Sequence, residues 1–422
     1  MNSIQQLLLG VGVLLFANLL QAADLAGLAV TEQQFQTCAA AKPGSSFAEV
    51  KLALQHKQYA LARQRLGIPG AHASAEAFYL YGKAAALEAR QARQQGKVDK
   101  SNEQLTHEAE RNSQKALAAG YAAALYDQAL ALGLAGDAAG KLRLLKQAAD
   151  KHYIPAMLRL AEEKFVASAT FEQRIEAQVL VQEAAELDPA GKIKLASYYL
   201  HEDAQLRNLT GYDKNVTKAI EILAAAAQQC NAEAAYKLFQ LAEDQHKPND
   251  LPQTRARYWL EAAARLGLAQ AQGELASEYY DEGRQPDKAL YWARLGAEQD
   301  DLRALLTLGR MYYSGKGTEQ NHSQALQYYE KALHVDSTNR LVQNQLGIMY
   351  YKGEGSEVDF RRAATLCKQA ANKGQAGCQY YLGLMYVNGE GVTQDIDTGI
   401  SWMKKSAAQD FPIAKNWLRE NW

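Results

Sequence analysis

Proline is scarce, with 8 in 422 residues, and β-branched runs are few, so little in the chain breaks a helix or favours a strand. An excess of charge is missing as well. Lys+Arg number 46 against Asp+Glu 47, which excludes the global field that draws a protein to nucleic acid or anionic lipid. Catalytic signatures are absent: the eight histidines are scattered, and neither His-Glu-x-x-His, Gly-x-x-x-x-Gly-Lys-Ser/Thr nor Gly-x-Ser-x-Gly occurs. Metal-dependent and nucleotide-dependent chemistry therefore have no support, and no cofactor or metal is expected.

What is present is a mixture of strong helix formers, Ala, Leu, Gln, Glu and Lys, at 48% hydrophobic content, enough to bury a large core. The N-terminus carries a mostly apolar run from Leu7 to Leu20, followed by Gln21-Ala22-Ala23. That run is short of the roughly 20 residues a bilayer span needs. Residues 1–22 are expected to be a cleaved signal peptide, leaving a soluble periplasmic or secreted protein without a membrane span. Four cysteines, Cys38, Cys230, Cys367 and Cys378, suit a compartment that permits disulfides. Three Asn-x-Ser/Thr sequons begin at Asn208, Asn215 and Asn321, and are read as coincidental in a sequence of this length.

A repeat is countable near the C-terminus. Leu308-Gly309-Arg-Met-Tyr312-Tyr-Ser-Gly315-Lys-Gly317 returns as Leu346-Gly347-Ile-Met-Tyr350-Tyr-Lys-Gly353-Glu-Gly355 and as Leu382-Gly383-Leu-Met-Tyr386-Val-Asn-Gly389-Glu-Gly391. From the first glycine of each copy, tyrosine falls at +3, glycines at +6 and +8, and small residues at +16 (Ala325, Ala363, Gly399) and +23 (Ala332, Ala370, Ser406). This is the pattern of a helix pair. Helix A contains a glycine that admits a close neighbour, the paired glycines end it in a left-handed cap, and helix B presents a small-residue stripe to it. Helix B stops four residues past the stripe. The signature continues backwards through Ala289/Gly296/Asp300, Ala256/Ala263/Gly267, Ala219/Ala226/Cys230, Ala177/Ala184/Asp188, the degenerate Lys141/Ala148/His152 and Ala109/Ala116/Gly120. About nine repeats result, with a tenth, truncated pair at Glu49 to Gly67.

The Leu-Gly-x-Met-Tyr-x-x-Gly-x-Gly and Ala-x6-Ala-Ala-x-x-Gly pattern resembles Sel1-like repeats, a tetratricopeptide-like family. The resemblance implies an all-α fold, a right-handed α-solenoid of about nine Sel1/TPR-like helix-turn-helix repeats with atypical capping ends, and it implies no reaction. Residues 23–105 are expected to form an N-terminal helical cap with a degenerate repeat, 106–410 the solenoid and 411–422 a C-terminal capping helix. Two polar stretches, Gln91 to Gln104 and Glu202 to Asn215, are expected to be long loops. By the same likeness, helix A lines the concave face, so offsets −6, −3, +1 and +4 face a partner. These are Arg303, Leu306, Arg310 and Tyr313, then Leu341, Asn344, Ile348 and Tyr351, then Gly377, Tyr380, Leu384 and Val387. Aromatics, aliphatics and arginine together make an interface composition.

Cys367 and Cys378 lie eleven residues apart, on a helix B and at the start of the next helix A. The residues alone leave open a disulfide, two buried thiols or a redox pair. Cysteine-rich Sel1 proteins tie adjacent helices across this junction, with the first cysteine about one turn later, where this sequence has Ala371. A Cys38–Cys230 bond would need the N-terminal segment to fold back, and Cys230 alone is read as a solvated stop residue. Ser401-Trp-Met-Lys404 has the Ser-x-x-Lys form of penicillin-binding enzymes, but the companion motifs are missing and the pair falls on helix B. A non-enzymatic periplasmic scaffold that binds a partner protein is the leading expectation. The alternatives are an immunity protein neutralising a secreted effector such as a lipase and, last, a cell-wall or β-lactam hydrolase using Ser401 and Lys404.

Overall fold

A computed structural model describes residues 50, 53–54, 58–67, 73–96, 100–166, 169–201, 208–243 and 256–421. The expected signal segment and Cys38 lie outside the described residues. Among the described residues the protein is helical without strands. It divides within one helix into an N-terminal unit, residues 1–262, and a C-terminal unit, residues 263–422. In the first, α1 (Tyr59–Leu66) is followed by the pairs α2 (Ala75–Gln94) with α3 (Lys100–Ala118), α4 (Ala122–Leu134) with α5 (Ala138–Ala149), α6 (Ile154–Lys164) with α7 (Phe171–Leu187), and α8 (Pro189–Leu200) with α9 (Val216–Gln228). Next come α10 (Ala232–Glu243) and α11 (Ala256–Arg265), where the division falls. The second unit holds α12 (Ala269–Glu282) with α13 (Pro286–Glu298), α14 (Leu302–Ser314) with α15 (His322–Val335), α16 (Arg340–Lys352) with α17 (Phe360–Asn372), and α18 (Ala376–Asn388) with α19 (Ile396–Ala407), closed by α20 (Pro412–Asn421). The fold is an all-α repeat solenoid.

Among the described residues the stripe and stop signature holds in full in eight B helices, and in α5 with Lys141 in place of the first small residue. The second stripe residue is buried in each, from Ala116 to Ser406. Each B helix ends at or before the stop residue. Gly120, Gly267 and Gly374 stand there in the left-handed conformation, and His152, Cys230, Asp300 and Asp410 adopt it too. Asp188 and Asp336 instead leave the helix extended. Lys141, the degenerate stripe residue, runs past Gly133, which has no side chain to obstruct it, and pairs with Glu163 at 2.7 Å. Two sequon asparagines have a helical role: Asn215 and Asn321 cap α9 and α15, accepting from Lys218 N at 2.9 Å and Gln324 N at 3.0 Å.

Four expectations are corrected. Residues 91–94 and 100–104 are helical, so the polar Gln91 to Gln104 stretch is not a long loop. It contributes to the α2/α3 pair, and a boundary at 105/106 would cut α3. Only the first of the paired glycines caps helix A; the second, Gly317, Gly355 or Gly391, rests on the first residue of the preceding helix B, respectively Pro286, His322 and Phe360. Cys230 is in a disulfide, not a solvated thiol. Tyr380 is buried against Met403, Ala414 and Phe411, because α20 covers that end of the stack.

Buried phenols make the core sensitive to alkali. Burial pushes Tyr121 and Tyr212 up from the ordinary 10.0 to about 12. The fold holds them neutral while the unfolded polypeptide ionises, so their contribution is complete below pH 10.0 and is lost as pH rises towards 12. Circular dichroism across pH 9 to 12 should show a falling melting temperature above about pH 10. An unchanged melting temperature at the alkaline end would contradict it.

Candidate functional site

Three successive A helices of the C-terminal unit wall one cavity of about 710 Å³. Gln270 and Ser277 come from α12, Arg303, Leu306 and Arg310 from α14, and Leu341, Asn344 and Gln345 from α16. Side chains three, four or seven apart share one helix face, which is why the repeat register delivers these positions together. The cavity unites five of the expected face residues, Arg303, Leu306, Arg310, Leu341 and Asn344. The rest are placed elsewhere. The Tyr313 hydroxyl donates to Glu354 at 2.8 Å and that of Tyr351 to Glu390 at 2.9 Å, each glutamate lying in the glycine loop of the next repeat. These tyrosines tie repeats together. Ile348 is partly buried, and Leu384 and Val387 pack into the terminal cluster with Trp417 and Leu418.

Tyr329 also lines this cavity, although the repeat pattern alone does not single it out. It reaches the cavity from α15, because a Cβ at Gly309 would stand 2.5 Å from its ring. Its relative exposure is 0%, and its hydroxyl makes no hydrogen bond of normal geometry. Burial raises its pKa, and the nearby Arg310 guanidinium pulls it back only in part, so the phenol stays neutral. A signal existed: of the three copies that share the full glycine pattern, the +20 position reads Cys367 and Met403 in the last two and carries a hydroxyl only at Tyr329.

The two arginines are held loosely. Arg303 pairs with Glu274, and Arg310 pairs with Asp281 at 2.9 Å while lying 4.3 Å from the Tyr280 ring centroid. Their side chains are 54% and 42% exposed, and such surface pairs contribute about 0–1 kcal/mol, so a ligand anion can exchange for the acid. Asp301 is committed otherwise, accepting from Ala304 N at 2.8 Å as the cap of α14, with burial raising its pKa.

Cys367 and Cys378 are bridged, with a Cα–Cα distance of 4.7 Å, joining α17 to α18. Beside the bridge, Cys378 N donates to Asn344 Oδ1 at 2.9 Å, which orients the Asn344 amide at the cavity wall.

A second groove, about 970 Å³, lies in the N-terminal unit, with exposed Leu142, Val166, Ile175 and Val179 in its walls. It is larger, but none of its lining residues carries an unpartnered buried polar atom, and the cavity over Tyr329 is the stronger candidate. Ser401 and Lys404 lie exposed on α19 and line neither. Among the described residues, no cluster of three His, Cys, Asp or Glu is placed to hold a metal ion. No described helix is long and apolar enough to cross a membrane.

The family model for the Sel1 repeat matches residues 58–88, 189–229, 232–268, 269–301, 302–334, 341–375 and 376–411, more than half of the sequence. A search of curated proteins gives no significant match. Among solved structures, the protein is similar to a Sel1 repeat protein from Oxalobacter formigenes, at 24% identity over 74% of this sequence and 90% of that one, TM-score 0.47. It is also similar to c5321, a protective antigen present in uropathogenic Escherichia coli strains displaying an SLR fold, at 20% identity over 93% and 90%, TM-score 0.45.

Proposed function

Because the chain belongs to the Sel1 repeat family, whose members generally mediate protein–protein interaction, we propose that it is a non-enzymatic scaffold of the bacterial periplasm. It holds a partner protein on the A-helix face of its C-terminal unit. One observation carries this reading: three consecutive A helices contribute to a single cavity that mixes arginine, leucine and amide side chains. Such a face is set by the repeat register before the partner arrives, so little side-chain freedom is lost on binding. The Cys367–Cys378 bridge suits an oxidising compartment and supports the periplasmic assignment.

Affinity purification from periplasm with the wild-type protein, and with Arg303→Glu combined with Arg310→Glu, tests the reading. Reversing both charges should weaken partner recovery roughly tenfold or more. Ser401→Ala on α19 should leave it unchanged. Equal recovery of every partner by the double variant would overturn the assignment to this face.

A further inference from the structure

We propose, building on that reading, that the cavity recognises a carboxylate, and that the partner docks an acidic segment with the carboxylate at the Tyr329 hydroxyl, between Arg310 and Gln345. The starting point is Tyr329 itself. A fully buried phenol whose hydroxyl has no hydrogen bond of normal geometry within the protein is a cost unless something entering the cavity satisfies it. Arg310 acts on this hydroxyl through its charge and Gln345 through its side-chain amide, which approaches the oxygen without the geometry of a full hydrogen bond; both line the cavity, so the hydroxyl is directed to that side of the fold.

The spare hydrogen-bonding capacity around it is mostly donating. Arg310 and Arg303 each engage one acid on the preceding A helix, which leaves further N–H groups on both guanidiniums. Asn344 uses Oδ1 on the Cys378 N–H, so the Nδ2 amine is what it has left to offer. The one carboxylate in the lining, Asp301, is occupied as a helix cap. A phenol, two guanidiniums and an amide amine complement a ligand group that only accepts and carries negative charge, and charge-assisted bonds of this kind are the strong ones. Leu302, Leu306 and Leu341 line the same cavity and suit the aliphatic stem of such a residue. A lysine or arginine from a partner would instead meet the two guanidinium charges that line the cavity. The carboxylate has two sources, the side group of a Glu or Asp or the free C-terminus of a polypeptide, and the chemistry is shared.

Two synthetic libraries of random octapeptides, with free and with amidated C-termini, panned against the full-length protein, distinguish the sources. Enriched sequences should carry Asp or Glu, or should bind only when the C-terminus is free. Fluorescence anisotropy of an enriched peptide should show roughly tenfold weaker binding after Glu→Gln replacement or amidation, and a similar loss for Tyr329→Phe, which removes a single oxygen. Arg310→Gln supplies a second variant should Tyr329→Phe lower the melting temperature. Enrichment from the amidated library of peptides without Asp or Glu, no enrichment from either library, or unchanged affinity in both variants overturns the carboxylate assignment. If amidated peptides without Asp or Glu bind and are lost with Leu306→Asp, the A-helix face stands as the binding face and only its ligand chemistry is wrong. If no peptide binds and the double arginine variant recovers partners normally, both readings fall.

Discussion

Replacing Gly355 by alanine is expected to destabilise the C-terminal unit by about 3–4 kcal/mol, from left-handed backbone strain together with overpacking. Gly355 has φ +85°, and a Cβ there would stand 2.4 Å from the His322 carbonyl oxygen and 2.6 Å from its carbon. Those atoms are backbone at the start of α15 and cannot rotate aside. Gly374 supplies the control, with φ +86° and nothing within 4 Å of the added Cβ. Alanine there should cost only about 1 kcal/mol. Urea unfolding of both variants separates the two terms, since the conformational cost is common to both. In a solenoid stability is nearly a sum of repeat and nearest-neighbour terms, so the excess at Gly355 reports the contact between adjacent repeats. Equal losses would mean that this glycine serves only the turn.

Removing the bridge, by Cys367→Ala with Cys378→Ala, should cost about 3 kcal/mol, the chain-entropy figure for a loop of this length. Both cysteines are fully buried, and a Cβ at Gly347 would lie 2.6 Å from Cys367 Sγ and 3.2 Å from Cys378 Sγ. The glycine inside α16 thus leaves room for the bridge. The donor to Asn344 is the backbone N–H of Cys378, which alanine retains, so the double variant should lower the melting temperature and leave binding at the A-helix face unchanged. Thermal unfolding of the oxidised wild type against the variant is the measurement. Identical melting temperatures would contradict a stabilising bridge.

The helix pairs were legible because each repeat restates the same spacings, and a stripe of small residues followed by a stop has one helical interpretation. The face residues on α14 and α16 were legible for the same reason, and Arg303, Leu306, Arg310 and Asn344 do meet around one cavity. Three features were not. Gln91 to Gln104 reads as loop because its helices expose polar side chains, while Asn102 and Asn112 are buried in the pair with Asn112 Nδ2 donating to the Glu108 carbonyl at 2.8 Å. Tyr380 occupies a face register but is covered by α20, and register alone does not tell which repeat a terminal helix covers. Tyr329 belongs to helix B, whose register marks its residues as packing; its access to the cavity depends on the missing side chain of Gly309, a relation between two helices.

The central claim is that a partner lies on the A-helix face of the C-terminal unit. A photo-reactive phenylalanine analogue at Leu341, which is 51% exposed on α16 beside the cavity, tests it directly against the same analogue at Val335, 46% exposed at the end of α15. Irradiation in cells should trap a partner adduct from position 341 and none from position 335. An adduct from 335 alone, or from neither while the intact protein still co-purifies its partner, would contradict the claim.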